Sequence, residues 1–123
     1  MKLSKTGNLT YGMIKNEIQD IVSRELVVCR REKGLKELIN KPEGELIEKI
    51  SLLKVNKRSD IKNYFTLKSM INIAALIAKS ALLRKESHGS HHREDYPEKN
   101  DKEFKKIIKV SRKNCRNIYK YID

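Results

Sequence analysis

The hydrophobic and polar positions of the chain predict three amphipathic helices, the first over residues 10–31. Its apolar positions recur at three- and four-residue steps and form one stripe: Tyr11, Ile14, Ile18, Ile21, Val22 and Leu26. The Thr10 hydroxyl can cap this helix by accepting a hydrogen bond from an unpaired amide of the first turn. Arg30, Arg31 and Lys33, near the predicted end, suit the negative end of the helix dipole.

A second helical region begins near Gly34 and keeps the helical spacing of apolar residues as far as Leu53. Pro42 and Gly44 interrupt this pattern. Because proline removes an intrahelical hydrogen bond and its ring clashes with the preceding turn, we expect the helix to break there. The region therefore predicts two helical pieces that share one apolar face.

The third helix is predicted over residues 66–86, after a polar connection of residues 54–65 whose end Tyr64 and Phe65 anchor. Its main apolar stripe consists of Leu67, Met70, Ile71, Ala74, Ile77, Ala78 and Ala81. The apolar surface is widened by Ile73, Leu76 and Leu83. A helix that is apolar over so wide an arc is typically packed between neighbours. We therefore predict an all-α domain, a three-helix up-down-up bundle similar to a spectrin repeat.

The helical pattern stops after residue 87, which divides the chain into three parts. We expect a flexible segment over residues 1–9, the bundle over residues 10–87, and a polar loop and tail over residues 88–123 that pack on the bundle. The loop covers residues 88–102. In the tail, apolar residues flank Lys113-Asn114-Cys115-Arg116, which predicts two short strands around a turn, that is, a short β-hairpin.

The charge of the chain requires an anionic partner to be considered. The 123 residues, enough for one domain, carry a formal net charge of +12. The basic excess is spread along the chain but is densest over residues 106–123, where six Lys and Arg meet one acidic residue. No RNP-like aromatic motif, zinc-finger spacing or helix-turn-helix pattern accompanies it. We therefore disfavour nucleic acid as a partner and interpret the charge as a solvated basic surface.

Candidate chemical groups are densest in the loop after the third helix. His88, His91 and His92 beside Glu94 and Asp95 suggest a metal site, but no H-E-x-x-H motif, cysteine cluster or further histidine completes one. The two carboxylates are adjacent in sequence, so we favour an ion-paired or solvated loop over a catalytic pair. There is also no glycine-rich phosphate cradle and no nucleophile motif. The residues themselves predict no catalytic, cofactor-binding or metal site.

The chain carries weak indications of where the protein works. The residues after Met1 lack the apolar core of a signal peptide. The longest apolar stretch, residues 67–83, contains two lysines and an asparagine and is too polar for a membrane span. Cys29 and Cys115 are far apart and form no C-x-x-C motif. We expect a reduced, cytoplasmic protein.

One long motif resembles a known family. Residues 76–97 read LIAKSALLRKESHGSHHREDYP, which is similar to the S-A-x-x-R-x-E-S-R-G-x-H-x-R-x-D-Y-P pattern of the succinate dehydrogenase, fumarate reductase and L-aspartate oxidase flavoproteins. Residues 14–35 look like the preceding helix of that family and the turn after it, which contains an arginine followed by Gly-Leu, with Arg31 and Gly34-Leu35 in place. Residues 104–108 look like the aromatic-x-K-H segment after the motif. The resemblance covers most of residues 11–110.

The resemblance implies a helical domain that follows the FAD-binding and capping domains and packs against them. It implies FAD in the parent protein and no catalytic residue in this chain. The following residues are implied to form a turn that docks the bundle onto the flavoprotein body: Arg84, Glu86, Ser87, His91, Arg93, Asp95 and Tyr96. Arg and carboxylate groups in one turn can form charge-assisted bonds that fix an orientation. His88 departs from the family, because arginine is usual at that position.

Within the family, the resemblance favours L-aspartate oxidase, which makes iminoaspartate for NAD biosynthesis. The basis is a short, Lys-rich tail without the tryptophan common in respiratory members. The alternatives are a soluble fumarate reductase or succinate dehydrogenase flavoprotein, and a stand-alone basic helical adaptor that binds nucleic acid or an acidic protein. A docking domain should expose part of Ile73, Leu76 or Leu83, whereas an independent adaptor should cover them.

Overall fold

The protein, described here from a computed structural model, is mostly helical with short strands. The structure describes residues 8–26 and 29–122. Most of the predicted flexible segment, residues 1–7, lies outside the described residues. Leu9 forms an isolated parallel bridge with Leu53, and the Lys54 amide donates to the Leu9 carbonyl at 3.1 Å. The beginning of the described chain is thus fixed against the end of the second helical region.

Helix α1 covers Tyr11–Glu25, and Thr10 caps it as predicted: the Met13 amide donates to Thr10 Oγ1 at 3.4 Å. The prediction that the helix continues to residue 31 was wrong. The chain leaves the helix and forms a short strand, β1, at Cys29–Arg30. The Arg30 Nε atom donates back to the Leu26 carbonyl at 3.0 Å and so satisfies an acceptor at the end of α1.

The second helical region consists of α2 at Glu32–Lys41, a π-helical segment at Pro42–Leu46 and α3 at Ile47–Ser51. The α-helix ends at the predicted position, but the chain continues as a π-helix. The predicted break is therefore a local change of helix type, and the helical region is not interrupted. A π-helical turn can absorb the backbone mismatch that a proline residue imposes. Gly34 lies inside α2, not in a turn, and a Cβ at this position would come within 1.8 Å of the Glu25 carboxylate.

Helix α4 covers Arg58–Leu83, so it begins within the predicted polar connection and ends before residue 86. Asp60 explains the early start. Its Oδ2 atom accepts hydrogen bonds from the Asn56 and Lys57 amides, both at 2.8 Å, at the beginning of the helix. Tyr64 and Phe65 therefore lie inside α4. Polar residues on the exposed side of a helix look like a loop in sequence, which is the reason for the wrong prediction.

The core lies where α4 packs on α1 and on α2. Its buried apolar residues are Ile14, Ile18, Ile21, Leu26, Leu35, Leu38, Leu46, Ile50, Leu53, Leu67, Ile71, Ala74, Ala78 and Ala81. The predicted stripes of α1 and α4 supply most of them. α4 is long and apolar enough to cross a membrane, judged by length and composition alone. Core helices of soluble proteins also meet this criterion. Its alanine-rich stripe is packed against protein, so we treat α4 as a core helix.

The described residues also form short strands, so the fold is mostly helical and not all-α. β1 pairs in parallel with β2 at His92–Arg93, so Cys29 lies opposite His92 and Arg30 opposite Arg93. A short helix, α5, covers Asp101–Phe104 at the end of the predicted polar loop. β3 at Ile107–Lys113 and β4 at Arg116–Ile122 then form the predicted hairpin.

The hairpin turn consists of Asn114 and Cys115, with φ of 49° and 59°. Positive φ at both central residues gives a two-residue turn the twist that adjoining strands need. Asparagine tolerates that conformation better than most residues. Asn114 is therefore a recognisable turn residue in the sequence, although the glycine that usually accompanies it in such turns is missing.

Candidate functional site

The segment over residues 84–96, called here the motif turn, follows α4 and folds back over its end. It contains all seven residues that the family resemblance implicated in docking. Most of its polar side chains are partly or fully buried, and Glu86 and Arg93 are each only 1% exposed. Buried charges need partners, because an unpaired one costs several kcal/mol. The groups that pair with these buried charges therefore indicate the role of the motif turn.

Arg93 closes the end of α4. Its Nη1 atom donates to the carbonyls of Ala81 at 3.1 Å, Leu82 at 3.3 Å and Arg84 at 3.3 Å. These carbonyls belong to the last helical turn and the residue that follows it, where the helix dipole is negative. The guanidinium therefore satisfies acceptors that have no partner within the helix, and its positive charge is favoured there.

Asp95 neutralises Arg93 and reaches a second helix. Arg93 Nε lies 2.7 Å from Asp95 Oδ1, and Arg93 Nη2 lies 2.5 Å from Asp95 Oδ2. The backbone amide of Glu32, the first residue of α2, is a minor contributor to the lowered pKa of Asp95. The hydrogen bond from Arg93 is the main reason that the pKa of Asp95 lies below its ordinary value. The pair thus lies between the negative end of α4 and the positive end of α2.

His91 bridges β1 and the end of α4. Its Nδ1 atom lies 2.7 Å from Arg30 Nη1, and its Nε2 atom lies 3.3 Å from the Arg84 carbonyl. A guanidinium can only donate, so Nδ1 accepts and Nε2 carries the proton. Burial, together with the positive charges of Arg30, Arg93 and Arg84, lowers the pKa of His91, although the bond to the Arg84 backbone opposes this. The imidazole is held neutral.

Arg84 and Glu86 connect the motif turn to the residues before the hairpin. Arg84 Nη1 donates to Glu86 Oε1 at 2.9 Å and to the Phe104 carbonyl at 2.8 Å, and Nη2 donates to the Lys106 carbonyl. The other carboxylate oxygen of Glu86 accepts from the Asn100 amide at 3.0 Å. This ion pair therefore holds α5 and the beginning of β3 against the end of α4.

Ser87 and Tyr96 close the turn on itself. Ser87 Oγ lies 2.8 Å from the Tyr96 carbonyl, and the Arg93 amide donates to the same hydroxyl oxygen at 2.9 Å. The Arg93 guanidinium lies over the Tyr96 ring, 5.0 Å from its centre, which is a cation–π contact. His88 and His91 exchange backbone hydrogen bonds of 2.8 and 3.0 Å around Gly89, whose φ is +58°.

The structure thus brings all seven predicted residues together: six have side-chain hydrogen bonds within the chain, and the ring of Tyr96 contacts Arg93. Their docking role stays a prediction. The contributors that sequence reasoning missed include the Arg30 side chain and the Asn100 amide. Arg30 was interpreted as the end of α1, and a backbone amide leaves no residue-type signal. The side chain of His88, the departure from the family pattern, is exposed beside Arg84 and Phe104.

The described residues show no site for a metal or a dinucleotide. No group of three or more His, Cys, Asp or Glu side chains in residues 8–26 and 29–122 is placed to hold a metal ion. Gly12, Gly34 and Gly44 lie in helical segments and Gly89 lies in a tight turn, so none of them forms a phosphate cradle between a strand and a helix. The described part of the chain therefore does not fit FAD, which the resemblance assigns to the parent protein.

A second feature is an apolar groove between α1 and α4. Its walls include Ile18, Val22 and Met70. On its rim, the side chains of Ile73 and Ile77 are 56% and 45% exposed. Leu83, at the end of α4, is 39% exposed. A docking domain was expected to expose part of Ile73, Leu76 or Leu83. The third of these residues, Leu76, is half-buried.

Comparison with protein families gives one match that spans most of the chain. The family described as the C-terminal part of the fumarate reductase flavoprotein matches residues 15–121. Among relatives, an uncharacterized FAD-dependent oxidoreductase of Methanocaldococcus jannaschii is 40% identical over 95 residues, 77% of this chain. A fumarate reductase (CoM/CoB) subunit of Methanothermobacter marburgensis is 29% identical and covers 89%. The succinate dehydrogenase flavoprotein subunit of Rickettsia bellii is 32% identical and covers 80%.

Solved structures share the fold. The FrdA chain of E. coli quinol fumarate reductase matches 98% of this chain with a TM-score of 0.79 and 25% identity. Sdh1 of Mycobacterium smegmatis matches with the same TM-score and 19% identity, which concerns the fold alone. This chain spans about a fifth of the length of these proteins: 17% of the M. jannaschii relative, 20% of the M. marburgensis relative and 22% of the E. coli protein.

Proposed function

Because the chain belongs to the family of fumarate reductase flavoprotein C-terminal domains, we propose that it is the non-catalytic helical domain of a longer FAD-dependent oxidoreductase. In that protein it packs against the FAD-binding and capping domains. Substrate and flavin are handled by residues outside this chain. α1, the helical region from α2 to α3, and α4 form one up-down-up bundle in this proposal. The protein is located in the cytoplasm.

The observation that supports docking most directly is the apolar surface of α4. Ile73 and Ile77 are about half exposed, and with the α1–α4 groove they form a continuous apolar patch. A contiguous exposed patch of this kind is typical of an interface. A stand-alone adaptor is expected to bury these isoleucines. A domain separated from its neighbouring domains exposes the residues that contact them.

The motif turn supports the proposal in a second way. Its ion pairs fix the end of α4 relative to α2 and to the hairpin, so the apolar face of α4 has one orientation. A rigid face loses little conformational freedom when it docks. The chemistry of this turn is therefore structural in the proposal, and its charged groups position the surface that makes contact.

The names of the relatives support a proposal for the type of oxidoreductase. Those named above include fumarate reductases and succinate dehydrogenases, so we propose a parent that interconverts fumarate and succinate. L-Aspartate oxidase, and with it a role in NAD biosynthesis, is the second candidate. Its support is the Lys-rich tail and the absence of tryptophan from the chain. Both parents use FAD and both act on four-carbon dicarboxylates.

The experiment that tests membership of a larger flavoprotein is the native size of the protein in its source. An antibody against this domain should detect a band several times larger than 14.4 kDa, and flavin absorbance should follow it through the same fractions. A band at 14.4 kDa away from any flavin would contradict the proposal and favour the adaptor. Assays of the purified parent for fumarate reduction and for L-aspartate oxidation then separate the two candidates.

The docking surface is tested by substitution in the whole protein. Ile73→Asp together with Ile77→Asp should loosen the domain, which limited proteolysis detects as early release of a helical fragment. The matched control is Ile47→Asp, since Ile47 is exposed to the same extent as Ile77, 45%, but lies on α3. Equal protease sensitivity of the two variants would contradict docking through α4.

A further inference from the structure

The β3–β4 hairpin has two chemically different faces. Side chains alternate between faces along a strand, and the register places directly opposite residues on the same face. One face turns towards the bundle: the Tyr121 hydroxyl donates to the Leu83 carbonyl at 2.8 Å, and the Tyr121 ring contacts Phe104 edge to face. Ile108 and Tyr119 share this face and are half-buried.

The opposite face, called here the outer hairpin face, is exposed at every position. It consists of Ile107, Lys109, Ser111, Lys113, Arg116, Ile118, Lys120 and Ile122. Four of these eight residues are cations and three are isoleucines. The basic tail is evident in the sequence, but the register is needed to place these cations on one surface.

The cations of the outer hairpin face lie opposite each other. Lys109 is the cross-strand partner of Lys120, and Lys113 is the cross-strand partner of Arg116. Like charges at directly opposite positions destabilise a strand pair. Residues 104–122 contain no acidic residue, and no carboxylate in the described part of the chain forms an ion pair with any of the four. The hairpin therefore holds two repulsive pairs that no carboxylate among the described residues neutralises.

The isoleucines distinguish among anionic partners. Ile107 and Ile118 are 64% and 45% exposed: Ile118 lies between Arg116 and Lys120, and Ile107 lies beside Lys109 at the open end of the hairpin. Single-stranded nucleic acid is bound by aromatic side chains on which bases stack, but Tyr119 and Tyr121 face the bundle instead. A protein surface that alternates carboxylates with apolar side chains fits both the charges and the isoleucines.

We propose that the outer hairpin face is the docking surface for a separate acidic protein. The carboxylates of that partner neutralise the two opposed cation pairs, and its apolar side chains cover Ile107 and Ile118. Such an interface depends on salt and is reversible, because it is made mainly of exposed charges. It differs in place and chemistry from the apolar face of α4, and it does not rest on the identity of the parent oxidoreductase.

The test measures binding of the purified whole protein to a fluorescein-labelled peptide that alternates Glu with Val, by fluorescence anisotropy at low salt. The hairpin variant carries Lys109→Gln, Lys113→Gln, Arg116→Gln and Lys120→Gln. The control variant carries Lys41→Gln, Lys62→Gln, Lys68→Gln and Lys85→Gln, which removes the same net charge from exposed sites elsewhere. The hairpin variant keeps its fold, because it removes repulsion and leaves the bundle-facing side intact.

The expected result is a dissociation constant that rises about tenfold or more in the hairpin variant and changes about twofold or less in the control. Equal weakening in both variants would mean attraction by net charge alone and would overturn the proposal. The same proteins are titrated with a single-stranded oligodeoxynucleotide and with phosphatidylserine vesicles. Tighter, hairpin-dependent binding to either of these probes would also overturn it, in favour of nucleic acid or membrane.

Discussion

The Arg93 guanidinium and the Asp95 carboxylate form a two-bond ion pair, with Nε to Oδ1 at 2.7 Å and Nη2 to Oδ2 at 2.5 Å. Arg93 is 1% exposed and also binds carbonyls at the end of α4, whereas Asp95 lies near the amide of Glu32 at the beginning of α2. Arg93 thus satisfies backbone acceptors at the end of α4, and Asp95 supplies its counter-charge. The stability of the motif turn should depend on it.

Arg93→Ala is expected to lower the free energy of unfolding by about 3 kcal/mol, because it leaves Asp95 and the carbonyls of α4 without their cation. Urea unfolding measures this. The matched control is Arg31→Ala, which removes a nearby arginine that pairs with Glu94 but is 71% exposed. Its cost should be about 0.5 kcal/mol or less. Similar losses in the two variants would show that Arg93 is not a structural cation.

His91 should make stability depend on pH. Burial, with the charges of Arg30, Arg93 and Arg84, lowers the pKa of His91 in the folded protein below its ordinary value of 6.5. The unfolded chain therefore binds a proton more readily. The contribution of His91 to the free energy of unfolding is complete above pH 6.5 and is lost as the pH falls through the lower folded-state pKa.

His91→Gln should accordingly flatten the decline of stability on the acid side of pH 6.5, measured as urea midpoints at a series of pH values. His88→Gln is the control, since His88 lies on the same turn but is exposed. A decline that persists in His91→Gln and disappears in His88→Gln would assign the effect to the wrong histidine.

Two tyrosines on the bundle-facing side of the hairpin should respond oppositely to loss of the hydroxyl. The Tyr119 hydroxyl is buried and has no hydrogen-bond partner among the described residues, whereas the Tyr121 hydroxyl donates to Leu83. Tyr119→Phe should raise the free energy of unfolding by about 1 kcal/mol and Tyr121→Phe should lower it by about 1 kcal/mol. Thermal unfolding of both variants provides the comparison, and a loss in both would mean that Tyr119 has a partner outside the described residues.

The helices were predictable where burial is periodic. Ile14, Ile18 and Ile21 in α1, and Leu67, Ile71 and Ala74 in α4, are buried as their spacing requires. Helix ends were less predictable. α1 ends before residue 31 because Cys29 and Arg30 pair with β2, a contact with residues more than 60 positions away. Local sequence carries no signal for such a partner.

The motif turn was likewise predictable only in part. Its residues were recognised together by resemblance, and the structure assembles all of them. Their partners were not predictable, because Arg93 binds backbone carbonyls of α4 and Glu86 binds the backbone amide of Asn100. Backbone groups are the same in every residue, so a sequence cannot show which of them a side chain will reach.

The sequence by itself determined the helical stripes, the cap at Thr10, the hairpin around Asn114 and Cys115, and the family, because each rests on local spacing or on an ordered motif. The tertiary structure alone decided that the Arg93–Asp95 pair closes the end of α4, that Ile73 and Ile77 are left exposed, and that four cations of the hairpin share one exposed face. These properties depend on how distant segments pack and pair, and packing brings together groups whose separation along the chain carries no pattern.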